Sequence, residues 1–136
     1  MKKNKLLDSY AILLWIQNEP GAQIIEELLL SAKKGQINLA VSEINLGEVY
    51  YKCIRRTGKN HAVEILEQFS LLPVEIVPVD WNLICKASEL KADIPIAYAD
   101  CFAIATALLK EATIITGDPE FAQASHLVNI DWLNRS

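Results

Sequence analysis

Apolar and polar positions change period several times along this chain, and the changes mark out alternating strands and helices. Lys5–Asp8 is a short apolar run ending in an acid, which predicts a first strand. Ser9 is placed to cap a helix through Ile16. Asn18-Glu19-Pro20 breaks that helix, and Pro20 suits the first turn of a second one, with Ile24, Ile25, Leu28 and Leu29 on one face. It runs to about Lys34, and Gly35 ends it. Ile37–Val41 predicts a strand, and Ser42 a cap for a long helix reaching about Thr57 and stopped by Gly58. Asn60 is placed to cap another helix through about Leu71, which Pro73 prevents from continuing. Val74–Val79 alternates as a strand, and Asp80 caps a helix from Trp81 to about Ala92.

After Pro95 comes the most apolar segment, Tyr98 to Lys110, rich in Ala and nearly free of charge; a helix of that kind is buried on all sides. Thr113–Thr116 predicts a strand, Gly117-Asp118-Pro119 a turn, and Val128–Asp131 a last short strand. Strands alternating with helices imply an α/β fold, with a mainly parallel sheet between two helical layers and functional residues at the carboxyl ends of the strands. No repeat, low-complexity tract or linker divides residues 1–136, so one domain is expected.

Composition narrows the classes. With 51% hydrophobic and 22% charged residues the chain is that of a folded globular protein. Its longest apolar stretch, Tyr10 to Ile16, is too short to cross a bilayer, so no membrane role is expected. Lys2, Lys3 and Lys5 precede an apolar run, but Asp8 interrupts it and no small-residue cleavage site follows, so the chain reads as cytoplasmic. Cys53, Cys85 and Cys101 are odd in number and match no zinc or redox spacing; with apolar neighbours they read as ordinary buried thiols. The net charge of −4 requires any contact with nucleic acid to come from a local basic patch.

Four acids from distant segments fall on the same predicted edge of the sheet. Asp8 ends the first strand, Glu48 lies in the helix after the second, Asp100 in the first turn of the apolar helix, and Asp118 just after the Thr113–Thr116 strand. Each has an ordinary alternative: Asp8 as a helix cap, Asp100 as a charge at a helix start, Asp118 as a turn former, Glu48 as the partner of Lys52 at i+4. Together they form a set of carboxylates whose repulsion a hard divalent cation relieves. Oxygen ligands suit Mg²⁺, with Mn²⁺ as the other candidate, and two Mg²⁺ ions about 4 Å apart would clamp the attacking and leaving oxygens of a phosphodiester. With only His61 and His126, neither near a Cys or a second His, zinc is disfavoured.

Leu6-Leu7-Asp8-Ser9, the run Ser42-Glu43-Ile44-Asn45-Leu46-Gly47-Glu48, the helix from Tyr98-Ala99-Asp100-Cys101 to Ala107, and Ile114-Ile115-Thr116-Gly117-Asp118-Pro119-Glu120-Phe121 resemble the successive motifs of PIN-domain proteins. Length and motif order are similar to those of VapC toxins of type II toxin–antitoxin pairs. The resemblance implies a three-layer α/β/α fold and a Mg²⁺-dependent endoribonuclease. It also implies a homodimer inhibited by a small cognate antitoxin. Asp8, Glu48, Asp100 and Asp118 match the family's catalytic and metal-holding acids, and Thr116 matches a hydroxyl that supports the site. Glu43 is a rival to Glu48, but the spacing from Ser42 favours Glu48. Asn45 stands where many members carry Thr, and Cys101 where many carry Ala; neither change removes a metal ligand.

Lys52, Arg55 and Lys59 follow Glu48 at i+4, i+7 and i+11, with Arg56 beside them, which predicts a basic strip on one helix face. On an acidic protein such a strip is a candidate RNA track, although cations near a helix end also offset its dipole. Tyr51 lies with Ile44 near the Glu48 side, as a lining of the groove or a partner surface. The alternatives to an RNase are a nuclease of the same fold acting on DNA or structured nucleic acid, and a non-catalytic module holding a basic peptide in an acidic groove. A nucleotide-binding protein is a weaker third, since no Gly-rich loop follows Asp8.

Overall fold

A computed structural model describes residues 2–133. Five strands form one sheet: β1 (Lys3–Leu7), β2 (Ile37–Ser42), β3 (Glu75–Val77), β4 (Thr113–Thr116) and β5 (Ile130–Trp132). Their order is β3-β2-β1-β4-β5 and every pairing is parallel. The first strand therefore lies in the middle, and the chain builds outward from it in two directions. The point of reversal lies between β1 and β4, where open α/β sheets place their sites.

The period of two along each strand divides the core. Leu6, Ala40 and Ile114 face one layer, formed by α5 (Trp81–Asp93) and α6 (Tyr98–Lys110). Leu7, Leu39, Val41 and Ile115 face the other, formed by α1 (Ser9–Ile16), α2 (Ala22–Lys33), α3 (Glu43–Thr57) and α4 (Lys59–Phe69). Residues 100–107 of α6 are all buried, as its composition predicts, while Tyr98 and Leu109 at its ends are exposed. Cys53 and Cys101 are buried and Cys85 half-buried, all three as free thiols.

Several boundaries move for local reasons. Asp8, not Ser9, caps α1: its Oδ1 accepts from the Ala11 N–H at 2.8 Å. Pro20 stays outside α2, which starts after Gly21 turns the chain at φ 103°. Asn60 lies inside α4 rather than capping it, because Gly58 at φ 88° already ends α3 and α4 begins at Lys59. β3 is shorter than its alternating pattern, consistent with an edge strand followed by Pro78, which has no N–H to give the ladder. The segment after Asp118 is more than a turn: Pro119–Ala124 winds into a 3₁₀ helix capped by Asp118. The last strand falls two residues later than its apolar run, at Ile130–Trp132.

Candidate metal centre at the carboxyl edge

Asp8 leaves the end of β1 and is 1% exposed. One oxygen caps α1 and the other accepts from the Thr116 hydroxyl at the end of β4. That hydroxyl also accepts from the backbone N–H of Asp118 at 3.0 Å. Thr116 thus links the Asp8 carboxylate to the loop that carries Asp118. Asp118 in turn caps the 3₁₀ helix, its Oδ1 accepting from the Glu120 N–H at 3.0 Å. Gly117 is required between them by space: a Cβ there would run into the Tyr10 ring.

From the other side, α6 brings Asp100 to the same place. The fully buried Asn45 of α3 donates to the carbonyl of Ala99, at 3.1 Å, and so ties the start of α6 to α3. Carboxylate oxygens of Asp100, Asp118 and Glu120 come within 4.8 Å of one another. Ser9, Glu48, Lys52, Asp100, Asp118 and Glu120 line one cleft of about 320 Å³. Glu48 forms its wall, accepting from the Ser9 hydroxyl at 2.5 Å and lying 3.7 Å from Lys52. Glu43 points elsewhere, its Oε1 accepting from the Val79 N–H at 3.3 Å.

Sequence reasoning reads Ser9 as a helix cap and quotes Glu120 within a motif, but assigns neither a role at the site. Glu120 carried a signal, as an acid two residues after a strand-end Asp with a helix-starting Pro between them. Ser9 carried none, because its role depends on α3 lying beside α1.

Electrostatics mark this edge as strained. Burial pushes the Asp8 carboxyl up to about 7; the Thr116 hydroxyl and Ala11 N–H oppose the rise, and the charges of Asp100 and Asp118 add to it. Burial likewise raises Asp100 to about 7, reinforced by Asp118, Glu48 and Glu120 and eased by Lys52. An all-oxygen set of mutually repelling carboxylates fits a hard divalent cation and gives a soft metal no ligand it prefers.

The basic strip is shorter than its spacing suggests. Lys52 and Arg55 share the α3 face with Glu48, but the face ends there: Lys59 opens α4 beyond the Gly58 turn. Arg56 lines a separate, mostly apolar cleft of about 740 Å³ with Trp15, Cys53, His61 and Phe69. None of the described helices is long and apolar enough to cross a membrane.

Solved structures with this architecture include chains from toxin–antitoxin systems. A chain of VapBC2 from Rickettsia felis, bound to a DNA fragment from its promoter, superposes with a TM-score of 0.75 at 19% identity, over 94% of this chain and 97% of that one. A toxin–antitoxin complex from Klebsiella pneumoniae gives 0.71 at 16% identity, over 97% and 99%. VapC20 of Mycobacterium tuberculosis, a sarcin–ricin loop cleaving toxin, gives 0.72 at 19%, over 91% and 96%. These are likenesses of fold. No curated protein matches the chain in sequence. The PIN domain family model matches residues 5–127, and with the all-parallel sheet and its acidic carboxyl edge this establishes that the chain belongs to the PIN domain family.

Proposed function

We propose that the protein is a Mg²⁺-dependent endoribonuclease, residues 1–136 acting as one domain, and the toxin of a type II toxin–antitoxin pair in the cytoplasm. The observation that carries this reading is the gathering of Asp100, Asp118 and Glu120 oxygens within 4.8 Å, in a cleft that Glu48 also lines, with the buried Asp8 behind it close enough to feel the charges of Asp100 and Asp118. Asp8, Glu48, Asp100 and Asp118 would hold the metal, with Glu120 as a further ligand, and Mn²⁺ would substitute for Mg²⁺. When bound, the metal would polarise the scissile phosphate and lower the pKa of an attacking water. The chain's own share is placement. Thr116 fixes the Asp8 carboxylate against the Asp118 loop, Ser9 orients Glu48, and Lys52 offers a cation to an incoming phosphate beside the acids. Arg55 extends that contact along α3, whereas Arg56 and Lys59 lie off that face and contribute at most long-range attraction.

The cleaving activity of VapC20 supports RNA as the substrate, and the Klebsiella pneumoniae complex supports an antitoxin as partner. The apolar cleft at Trp15 and Phe69 suits the apolar part of such a partner. A homodimer is part of this reading, on the likeness of the sequence motifs to those of VapC toxins. Purified protein should cut single-stranded RNA with Mg²⁺, stop with a chelator, and leave DNA of the same sequence intact. Metal-independent cleavage, or equal cleavage of DNA, would overturn the reading.

A further inference from the structure

Tyr51 stands out on α3 because neither helical layer absorbs it. It is 43% exposed, yet Arg55 holds it in place, the guanidinium lying 5.0 Å from the ring centre. At 100° per residue, Tyr51 and Arg55 fall 60° and 20° to one side of Glu48, and Lys52 40° to the other. An aromatic ring, two cations and a site acid therefore share one narrow face. Tyr51 is one helical turn, about 5 Å along the axis, from Glu48. Ile44, the other apolar residue of this face, packs into the layer of α5 and α6. That leaves no continuous apolar stripe along this face of α3, and a half-exposed ring with a cation on one face has the chemistry of a base-stacking platform.

We infer that Tyr51, braced by Arg55, stacks the nucleobase next to the phosphate held at the acidic edge. The inference rests on the ribonuclease reading and deepens it. Phosphate binding by Lys52 fixes the backbone, and the ring then requires the adjacent base to be unstacked. A ring that takes up a base in this way disfavours a continuous duplex at that position. Stacking of this kind tolerates any base, so the platform selects for strand state and not for sequence.

The test is single-turnover cleavage of a labelled single-stranded RNA of roughly twelve nucleotides, with Mg²⁺ present. Tyr51→Ala should raise the half-saturating protein concentration roughly tenfold, as expected for one lost stack, and leave the salt dependence unchanged. The limiting rate should stay within about twofold of wild type, since the loss is one of binding. Tyr51→Phe and Tyr51→Trp should keep wild-type affinity. An abasic nucleotide beside the cleavage site should weaken wild type by a similar factor and add nothing to Tyr51→Ala. Wild-type half-saturation in Tyr51→Ala, or an abasic penalty equal in both proteins, would overturn the platform while cleavage itself stood. A wild-type protein that cuts no RNA would overturn the ribonuclease reading and the platform with it.

Discussion

The two edges of the sheet treat charge in opposite ways. At the amino edge, charged and polar groups meet in pairs: Lys110 meets Glu75 at 2.9 Å, Asn4 donates to the Lys110 carbonyl, and Asn38 donates to Asn4. Lys5 of the same central strand pairs with Asp131 at 2.9 Å. At the carboxyl edge, Asp8, Glu48, Asp100, Asp118 and Glu120 are set together with Lys52 as the nearby cation. The same strands run through both edges, so the fold does not impose this difference. Stability alone would favour the paired arrangement, and an unpaired one that persists in a folded chain points to a ligand of opposite charge.

The largest effect should follow from removing charge at the carboxyl edge. Asp100→Asn and Asp118→Asn should each reduce Mg²⁺-dependent RNA cleavage by more than about a hundredfold, beyond the loss typical of residues that merely support a metal ligand. In a chelator the same variants should melt ~3 °C higher than wild type, because a repelling charge is gone. Full cleavage by Asp100→Asn would break the contrast between the edges.

A smaller effect concerns pH. Asp8 and Asp100 titrate near 7 in the folded protein against 3.8 ordinarily, so between those values the folded state holds more protons than the unfolded one. Metal-free stability is then highest below about pH 4 on this account and falls as pH rises through 7. Melting in a chelator should show a fall of about 5 °C or more over that window. Mg²⁺ should restore most stability at the alkaline end. A flat profile would show that the acids are better solvated than their burial implies.

The smallest effect belongs to the amino edge. Lys110→Ala should cost less than about 1 kcal/mol, since both partners of its ion pair are partly exposed, and should leave cleavage unchanged. A large loss of activity there would mean that the two edges are coupled.

Much of this was legible in the residues. The strand-end positions of Asp8 and Asp118 follow from period and turn chemistry, and Asp100 from an acid on an otherwise apolar helix. What local pattern could not supply was contact between helices distant in sequence. Ser9 meets Glu48, and Asn45 meets Ala99, only because α3 lies against both α1 and α6. The basic strip failed for a local reason: Gly58 turns the chain before Lys59, so helical spacing cannot be counted across it. Asn60 failed similarly, because Gly58, two residues earlier, already precedes the first residue of α4.

The place of β1 at the centre of the sheet bears on the order in which the protein is made. β1 and its Asp8 are made before the other strands of the sheet, but the hydroxyl that orients Asp8 belongs to Thr116, 108 residues later. Asp118 and Glu120 come later still. A growing chain can pair β1 with β2 early and still lack the acid cluster until β4 and the loop after it have emerged. The acid cluster therefore forms only when β4 docks beside β1.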